Sequence, residues 1–159
     1  MECKKRLETR FRKYKRIIAI GDIHGDFDVF IKTLLLGKII DENNKWIVND
    51  TIVIQMGDQI DSMRAESMAV KKESGRFSFI KINNLIKKLD KQAVKKKSRI
   101  ISILGNHEVM NLLNDFRYTG LNEFLETTDD INSSENDLKE DRQNFFKNNK
   151  DIIYDFACN

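Results

Sequence analysis

Three short loops contain the residues of this chain that are best suited to chemistry. Each begins with glycine followed by Asp or Asn, and both histidines of the protein lie in them: Gly21-Asp22-Ile23-His24-Gly25, Gly57-Asp58-Gln59-Ile60-Asp61 and Gly105-Asn106-His107-Glu108. Carboxylate oxygen and imidazole nitrogen together suit a first-row transition ion such as Mn, Fe or Zn. A lone Gly-Asp pair is more often a turn, but three such loops that share both histidines predict a metal site.

The ligand types suggest how two ions would share this site. Asp22 and His24 alternate along an extended loop, so both side chains can point to one side. Asp58 adds a carboxylate that could bridge two ions, and Asn106 offers an amide oxygen to the second ion. Two divalent ions about 3.5–4 Å apart generate hydroxide from water and neutralise charge on phosphate oxygens. The pattern therefore favours phosphoryl chemistry.

His107 and Asp61 are candidates for proton transfer. His107 directly follows Asn106, so it lies close to the site, and an imidazole there can protonate a leaving alkoxide as a general acid. Asp61 follows Asp58 closely in sequence and can bond the other ring nitrogen of His107, which would fix its tautomer. Turn capping is the alternative role for Asp61, since aspartate is common in turns.

The strands and helices around the loops must bring them together. Each loop follows a short apolar, β-branched run that predicts a buried strand, and helical periodicity follows. This alternation indicates an α/β fold whose site lies beyond the carboxyl ends of the strands. The predicted strands are Ile17–Ile20, Trp46–Val48 (an edge strand), Thr51–Met56 and Arg99–Leu104. The predicted helices are Asp26–Lys38 (Asp26 capping it and Gly37 ending it), Phe79–Ala93, Val109–Phe116, Leu121–Leu125 and Leu138–Lys147.

Composition places the chain among soluble globular domains. Its 159 residues are 40% hydrophobic and 33% charged, and the net charge of +3 is too balanced to indicate a polyanion partner. Cys3 and Cys158 form no recognisable motif, and no signal peptide or membrane span is visible, so we expect a cytoplasmic (intracellular) protein with no membrane partner. Residues 1–16 form a basic leader, for which a solvated helix is favoured over contact with nucleic acid or an acidic membrane.

The three motifs together resemble the signature loops of calcineurin-like metallophosphoesterases, in the phosphoprotein phosphatase branch. The run from Gly105 to Tyr118 is particularly similar to the Shewanella-like protein phosphatases, and the resemblance covers about residues 17–118. It implies a β-sandwich of two sheets flanked by helices, with residues 17–159 as the phosphoesterase domain. It also implies hydrolysis of phosphate monoesters by a metal-bridging hydroxide, with a phosphorylated protein as the favoured substrate.

The resemblance also assigns a role to each motif position. It makes the position of His107 the proton donor and pairs it with the position of Asp61. It implies two divalent metal ions (Mn, Fe or Zn) that share one bridging carboxylate. The implied ligands are Asp22, His24 and Asp58 for the first ion, and Asp58 with Asn106 for the second.

Two departures from the family pattern bear on activity. Ser62 stands where the family usually places an arginine that binds phosphate. Arg64 lies nearby but is only a weak substitute, because a guanidinium group at a different position loses the bidentate geometry of that contact. No histidine follows His107, so we expect an incomplete second metal site and an incomplete C-terminal sheet. The chain is therefore interpreted as the N-terminal part of such an enzyme, apparently truncated, and a partner chain could supply the missing half.

Three functional hypotheses follow from these residues. The first is a metal-dependent phosphatase, supported by the complete ligand set of the three loops. The second is a catalytically inactive remnant that binds metal or phosphate, supported by Ser62 and by the missing histidines. The third is a nucleic-acid-binding domain built on residues 1–16 and the Lys-rich helix; it ranks last because aromatic interleaving and a recognisable motif are lacking.

Overall fold

A three-stranded parallel sheet organises the protein, seen in a computed structural model that describes residues 10–62, 78–130 and 132–149. The strands β1 (Arg16–Ile20), β2 (Thr51–Gln55) and β3 (Arg99–Ser102) lie side by side in that order. Their β-branched side chains favour extended backbone. Ile20 pairs with Gln55, and Gln55 pairs with Ser102. The three loops therefore all leave the sheet at the carboxyl ends of its strands.

Two amphipathic helices pack on this sheet and form the main core with it. Helix α1 (Phe27–Leu36) begins at Asp26, whose carboxylate accepts from the Val29 amide at 3.0 Å, and it ends at Gly37. Helix α2 (Phe79–Val94) begins at Ser78, which caps the Lys81 amide. Both helices match the predicted ones. Buried apolar residues join them to the strands: Phe30, Leu34, Val53, Ile82, Leu89 and Ile100.

Three further helices surround the second and third loops. They are α3 (Asn106–Leu112), α4 (Leu121–Leu125) and α5 (Glu135–Asn148). Phe146 of α5 packs with Ile60 of the second loop and with Phe79 of α2. The last described helix thus contacts the loop region directly, although it lies far along the chain.

The predicted edge strand Trp46–Val48 is wrong. Trp46 forms only an isolated antiparallel bridge with Ile40. Its amide donates to the side-chain oxygen of Gln92 at 2.9 Å, and its indole nitrogen donates to the Val48 carbonyl at 2.7 Å. Because the Gln92 side chain takes the Trp46 amide, the segment is held against α2 and does not extend into a strand.

Two helices begin earlier than predicted, because caps start them. Helix α3 begins at Asn106 instead of Val109, since Gly105 takes the N-cap position and donates its amide to Glu108 at 2.7 Å. Helix α5 begins at Glu135 instead of Leu138, because the Ser134 side chain accepts from the Asp137 amide at 3.4 Å. Apolar spacing alone does not reveal these polar first turns.

The α/β class predicted for the fold is confirmed, with one partial sheet among the described residues. Arg64, the weak candidate for phosphate binding, lies outside the described residues, as does residue range 1–9 of the leader. The division into a leader (1–16) and a domain (17–159) stays a prediction. Within the three described ranges, none of the helices combines the length and the apolar character that a bilayer span requires.

Glu126, directly after α4, should make the stability of the protein depend on pH. Burial raises the pKa of its carboxyl group from 4.5 to about 7, and its Oε2 atom has no hydrogen-bond partner among the described residues. Because the folded protein binds this proton more tightly than the unfolded chain does, the free energy of unfolding should fall by about 3 kcal/mol at most between about pH 4.5 and pH 7.

Glu126→Gln should remove that fall, because a neutral amide has no proton to lose in this range. Urea denaturation would measure it: the variant and the wild type should be similarly stable at about pH 4.5, and the variant should be more stable at about pH 8. Parallel pH profiles for the two proteins would contradict the assignment.

Candidate metal centre

Backbone hydrogen bonds join the first loop to the second. The amides of Ile23 and His24 both donate to the Asp58 carbonyl oxygen, at 3.0 and 2.9 Å, and the Gly25 amide donates to Gln59 at 2.6 Å. These bonds use backbone groups alone. The relative position of His24 and Asp58 is therefore set by the main chain.

Gln55, at the end of the central strand, connects the starts of the loops. Its side-chain nitrogen donates to the carbonyls of Gly57 at 2.6 Å and Gly21 at 3.3 Å. Its side-chain oxygen accepts from the Gly57 amide at 3.0 Å and from the Ser102 hydroxyl at 2.9 Å. This fully buried amide satisfies polar groups that the ends of three parallel strands would otherwise leave without partners.

The second and third loops touch at two glycines. Gly57 has a φ of +91°, and a Cβ atom there would overlap the backbone of Gly105. A Cβ atom on Gly105 would overlap the Asp58 carboxylate. Both positions require glycine, because the Gly105 backbone lies too close to Gly57, and the Asp58 carboxylate too close to Gly105, for any side chain to fit.

Glu108 is a site residue that the motif analysis did not single out. It is buried, and its carboxylate accepts from the amides of Asp58 at 2.8 Å, Gln59 at 2.7 Å and Gly105 at 2.7 Å. Burial raises the pKa of Glu108, and the three amide donors oppose that shift. The Glu108 side chain thus holds the backbone of the second loop at Asp58 and Gln59 and the backbone of the third loop at Gly105.

Glu123 does the same at the far end of the second loop. Its fully buried carboxylate accepts from the amides of Asp61 and Ser62, both at 2.8 Å, and from the Ser62 hydroxyl at 2.9 Å. It also accepts from the Gly120 amide at 3.0 Å. Glu108 and Glu123 share the spacing Gly-x-x-Glu, in which the glutamate accepts from the amide of the N-cap glycine, and this repeat is the sequence signal that could have revealed both.

His24 is held by two backbone carbonyls of the second loop. Its Nδ1 atom lies 3.1 Å from the carbonyl oxygens of both Ile60 and Asp61. Carbonyls only accept, so Nδ1 carries the proton. The half-exposed carboxylate of Asp22 lies 3.8 Å from the Nε2 atom of His24, which places the first pair of predicted ligands side by side.

Three side chains converge closely enough to share one ion. Among the described residues, ligand atoms of His24, Asp58 and His107 all lie within 4.8 Å of one another. Asp22 is adjacent to this group but outside it, and Asn106 is an exposed residue at the first position of α3. Imidazole nitrogens beside carboxylate oxygens are a donor set that fits a transition ion.

The structure places Asp61 directly behind His107. The His107 Nδ1 atom lies 2.9 Å from the Asp61 carboxylate. Asp61 is fully buried, and it also accepts from the Asn111 side-chain amide at 2.9 Å and from the Thr119 hydroxyl at 2.7 Å. A carboxylate can only accept, so the Nδ1 atom of His107 carries the proton that joins the pair.

Three of the predicted site residues have left-handed backbone conformations. His24, Asp58 and Asp61 have φ values of 47°, 52° and 66°. Such conformations cost on the order of 1–3 kcal/mol each in non-glycine residues and cluster at functional sites. Glu108 accepts from the Asp58 amide and Glu123 from the Asp61 amide, so these bonds help to hold two of the three residues in place.

Comparisons with known proteins identify the family of this chain. A family model for calcineurin-like phosphoesterases matches residues 15–155. The chain is 36% identical over 121 residues to Shewanella-like protein phosphatase 2 of Arabidopsis thaliana, covering 74% of this chain and 28% of the relative. It is 39% identical over 122 residues to Shewanella-like protein phosphatase 1 of Plasmodium berghei (strain Anka), covering 72% and 30%. The chain thus spans less than a third of the length of these curated relatives.

A solved structure shares the fold. The crystal structure of the cold-active protein-tyrosine phosphatase of a psychrophile, Shewanella sp., superposes with a TM-score of 0.64 at 24% identity. The match covers 91% of this chain and 41% of that protein. At this identity the likeness establishes the arrangement of strands and helices.

Proposed function

This chain belongs to the calcineurin-like phosphoesterase family, and from that premise we propose that its three loops catalyse metal-dependent hydrolysis of phosphate monoesters. The observation that carries the proposal is the convergence of His24, Asp58 and His107 within 4.8 Å. The family implies divalent metal cofactors, and this donor set suits them. A phosphorylated substrate follows from the reaction.

The proposed ligands divide between two ions of Mn, Fe or Zn. Asp22, His24 and Asp58 would bind the first ion, and Asp58 with Asn106 would bind the second, whose remaining ligands are not among these residues. When bound, such ions supply Lewis acidity toward phosphate oxygens and lower the pKa of water so that it becomes a nucleophile. A partner chain that completes the second ion's ligands stays a prediction.

His107 is the proposed proton donor to the leaving oxygen. Its Nδ1 proton is engaged by Asp61 at 2.9 Å, so Nε2 is the nitrogen that would carry and release the second proton. The buried Asp61 carboxylate stabilises the protonated ring and fixes its orientation. Protonation of the leaving oxygen at a fixed position is the contribution that this pair makes to the rate.

A phosphorylated protein is the proposed substrate. The two relatives are named protein phosphatases, which supports this class over small phosphate esters.

The second candidate is an inactive protein that binds metal or phosphate. The observation that favours it is the position of Ser62, whose hydroxyl donates to Glu123 at 2.9 Å. A serine engaged in this way lacks the planar fork with which an arginine binds phosphate in a bidentate manner.

Phosphate release from p-nitrophenyl phosphate separates the two candidates. The purified chain would be assayed with Mn²⁺ and with a chelator, beside Asp58→Asn. Turnover that requires Mn²⁺ and disappears in the variant would support hydrolysis. Stoichiometric metal binding without turnover would support the second candidate, and absence of metal binding would exclude the first candidate and the metal-binding form of the second.

Gly105→Ala should weaken metal binding by about 10- to 100-fold, the usual effect of disturbing a group that orients a ligand. The added methyl group would overlap the Asp58 carboxylate and displace it. Gly21→Ala is the matched control, because a Cβ atom there has no heavy atom within 4 Å. Isothermal titration with Mn²⁺ would measure both variants, and equal affinities would show that Asp58 is not a ligand in this position.

A further inference from the structure

A fully buried arginine lies behind the candidate site, on a helix that no motif marks. Arg142 of α5 has no exposed surface, and burial lowers its pKa, while the charges of Glu123, Asp61 and Glu126 oppose that shift. Four phenylalanine rings surround its guanidinium group. The distances to the ring centroids are 5.2 Å for Phe79, 5.9 Å for Phe116, 5.7 Å for Phe124 and 5.2 Å for Phe146.

The charge of Arg142 is costly to bury, and packing alone does not require it. An apolar side chain could also fill the space between the aromatic rings, and it would not carry the cost of a buried charge. The polar contacts of Arg142 are few and specific. Its Nε atom donates to the Asn111 side-chain oxygen at 2.7 Å, and Nη1 donates to the Glu123 carbonyl at 2.9 Å.

The bond to Asn111 determines which way the Asn111 amide faces. Arginine has donors and no acceptor, so the oxygen of the amide must point toward Arg142. The nitrogen of the amide then points toward Asp61, and it lies 2.9 Å from both carboxylate oxygens. In the opposite orientation, Asn111 would place its oxygen against the Asp61 carboxylate and its N–H groups against those of Arg142. Both contacts would be repulsive.

A continuous series of hydrogen bonds therefore runs from α5 to the candidate proton donor. Arg142 donates to Asn111, Asn111 donates to Asp61, and His107 donates to Asp61 at 2.9 Å. Asn111 also donates to the His107 carbonyl at 3.1 Å. A charged donor at one end polarises the amide and strengthens its bond to the carboxylate.

We propose that Arg142 is a positioning residue for His107: it fixes the orientation of the Asn111 amide, which aligns the Asp61 carboxylate and thereby the tautomer and ring orientation of His107. This inference deepens the proposed function and rests on it for the role of His107 as proton donor. The geometry it describes is a property of the folded chain. It can therefore be tested without substrate or metal.

Imidazole ¹⁵N spectra provide the test, because the chain has only 2 histidines and His24 serves as an internal reference. Spectra of the chelator-treated protein would be recorded at about pH 8, where an ordinary imidazole is neutral. In the wild type, His107 should be protonated at Nδ1. In Arg142→Met, the Asp61 carboxylate should be less firmly aligned, and the Nδ1 proton of His107 should exchange with solvent on the order of 10- to 100-fold faster, the equivalent of one lost bond to a charged group.

Leu138→Ala is the matched control for packing. Leu138 is also buried on α5 and packs with Phe116 and Phe124, but its side chain takes no part in this series of hydrogen bonds. It should lower stability and leave the His107 spectrum unchanged. If the two variants alter the His107 spectrum equally, or if Arg142→Met leaves it unchanged, the proposal is wrong.

Asn111→Leu keeps the proposal testable if Arg142→Met does not fold. Leucine keeps the branched shape of asparagine and removes the donors to Asp61 directly, so the same faster exchange of the His107 Nδ1 proton is expected. A His107 spectrum identical to that of the wild type would overturn the proposal. Because these spectra need no turnover, an inactive chain with the predicted spectra would disprove the proposed function and leave the positioning role of Arg142 standing.

Discussion

Turnover of an alkyl phosphate monoester is expected to fall about 10²- to 10⁴-fold when His107 is replaced by alanine, the range for loss of a positioned general acid. An alkoxide is a poor leaving group and needs a proton as the bond to phosphorus breaks. p-Nitrophenolate leaves readily without one, so the same variant should lose much less activity on p-nitrophenyl phosphate. Steady-state rates on the two substrates would measure the difference.

Metal binding distinguishes this role from that of a ligand. His107 lies within the group of three side chains that could hold an ion, so a ligand role has to be tested separately. If His107 is the proton donor, His107→Ala should bind Mn²⁺ about as well as the wild type. Equal losses on both substrates together with lost metal binding would show that His107 is a ligand.

Glu108→Gln should lower the free energy of unfolding by about 3 kcal/mol or more, because a hydrogen bond to a charged group contributes about 1.5–3 kcal/mol. The carboxylate accepts from the amides of Asp58, Gln59 and Gly105. A glutamine amide retains one acceptor and turns a donor toward the remaining N–H groups. The buried position of Glu108, 3% exposed, prevents water from replacing the lost bonds.

The same substitution should weaken Mn²⁺ binding by about 10- to 100-fold, since the glutamate orients the backbone of a proposed ligand. Glu135→Gln is the control: this exposed glutamate lies in the first turn of α5 and pairs only locally with Lys139. Urea denaturation and metal titration would be performed on both variants. If both variants match the wild type in stability and affinity, Glu108 does not organise the site.

Local signals explain what the sequence predicted well. Asp26 and Gly37 mark the ends of α1 because a cap acts within one turn of its helix. The three β-branched runs predict the strands, and the glycine that follows each run predicts where the chain turns. The family predicted from the three motifs is confirmed by the match over residues 15–155.

Long-range polar contacts explain what the sequence did not predict. Glu108 bonds an amide 50 residues away, Glu123 one 62 residues away, and Arg142 bonds an amide oxygen 31 residues away. Neither apolar periodicity nor spacing within a motif indicates such partners. The prediction of an edge strand at Trp46–Val48 failed for the same reason. The Trp46 amide donates to the side chain of Gln92, which lies far along the chain on α2.

The central claim is that the three loops form one metal centre, and equilibrium binding of Mn²⁺ to Asp58→Asn tests it most directly. Asp58 is the proposed bridging ligand, whereas Asp129 is exposed in the segment between α4 and α5, so Asp129→Asn is the control for a lost surface charge. Saturable binding in the wild type and in Asp129→Asn, with binding abolished in Asp58→Asn, is the predicted result. Equal binding by all three proteins would contradict the claim.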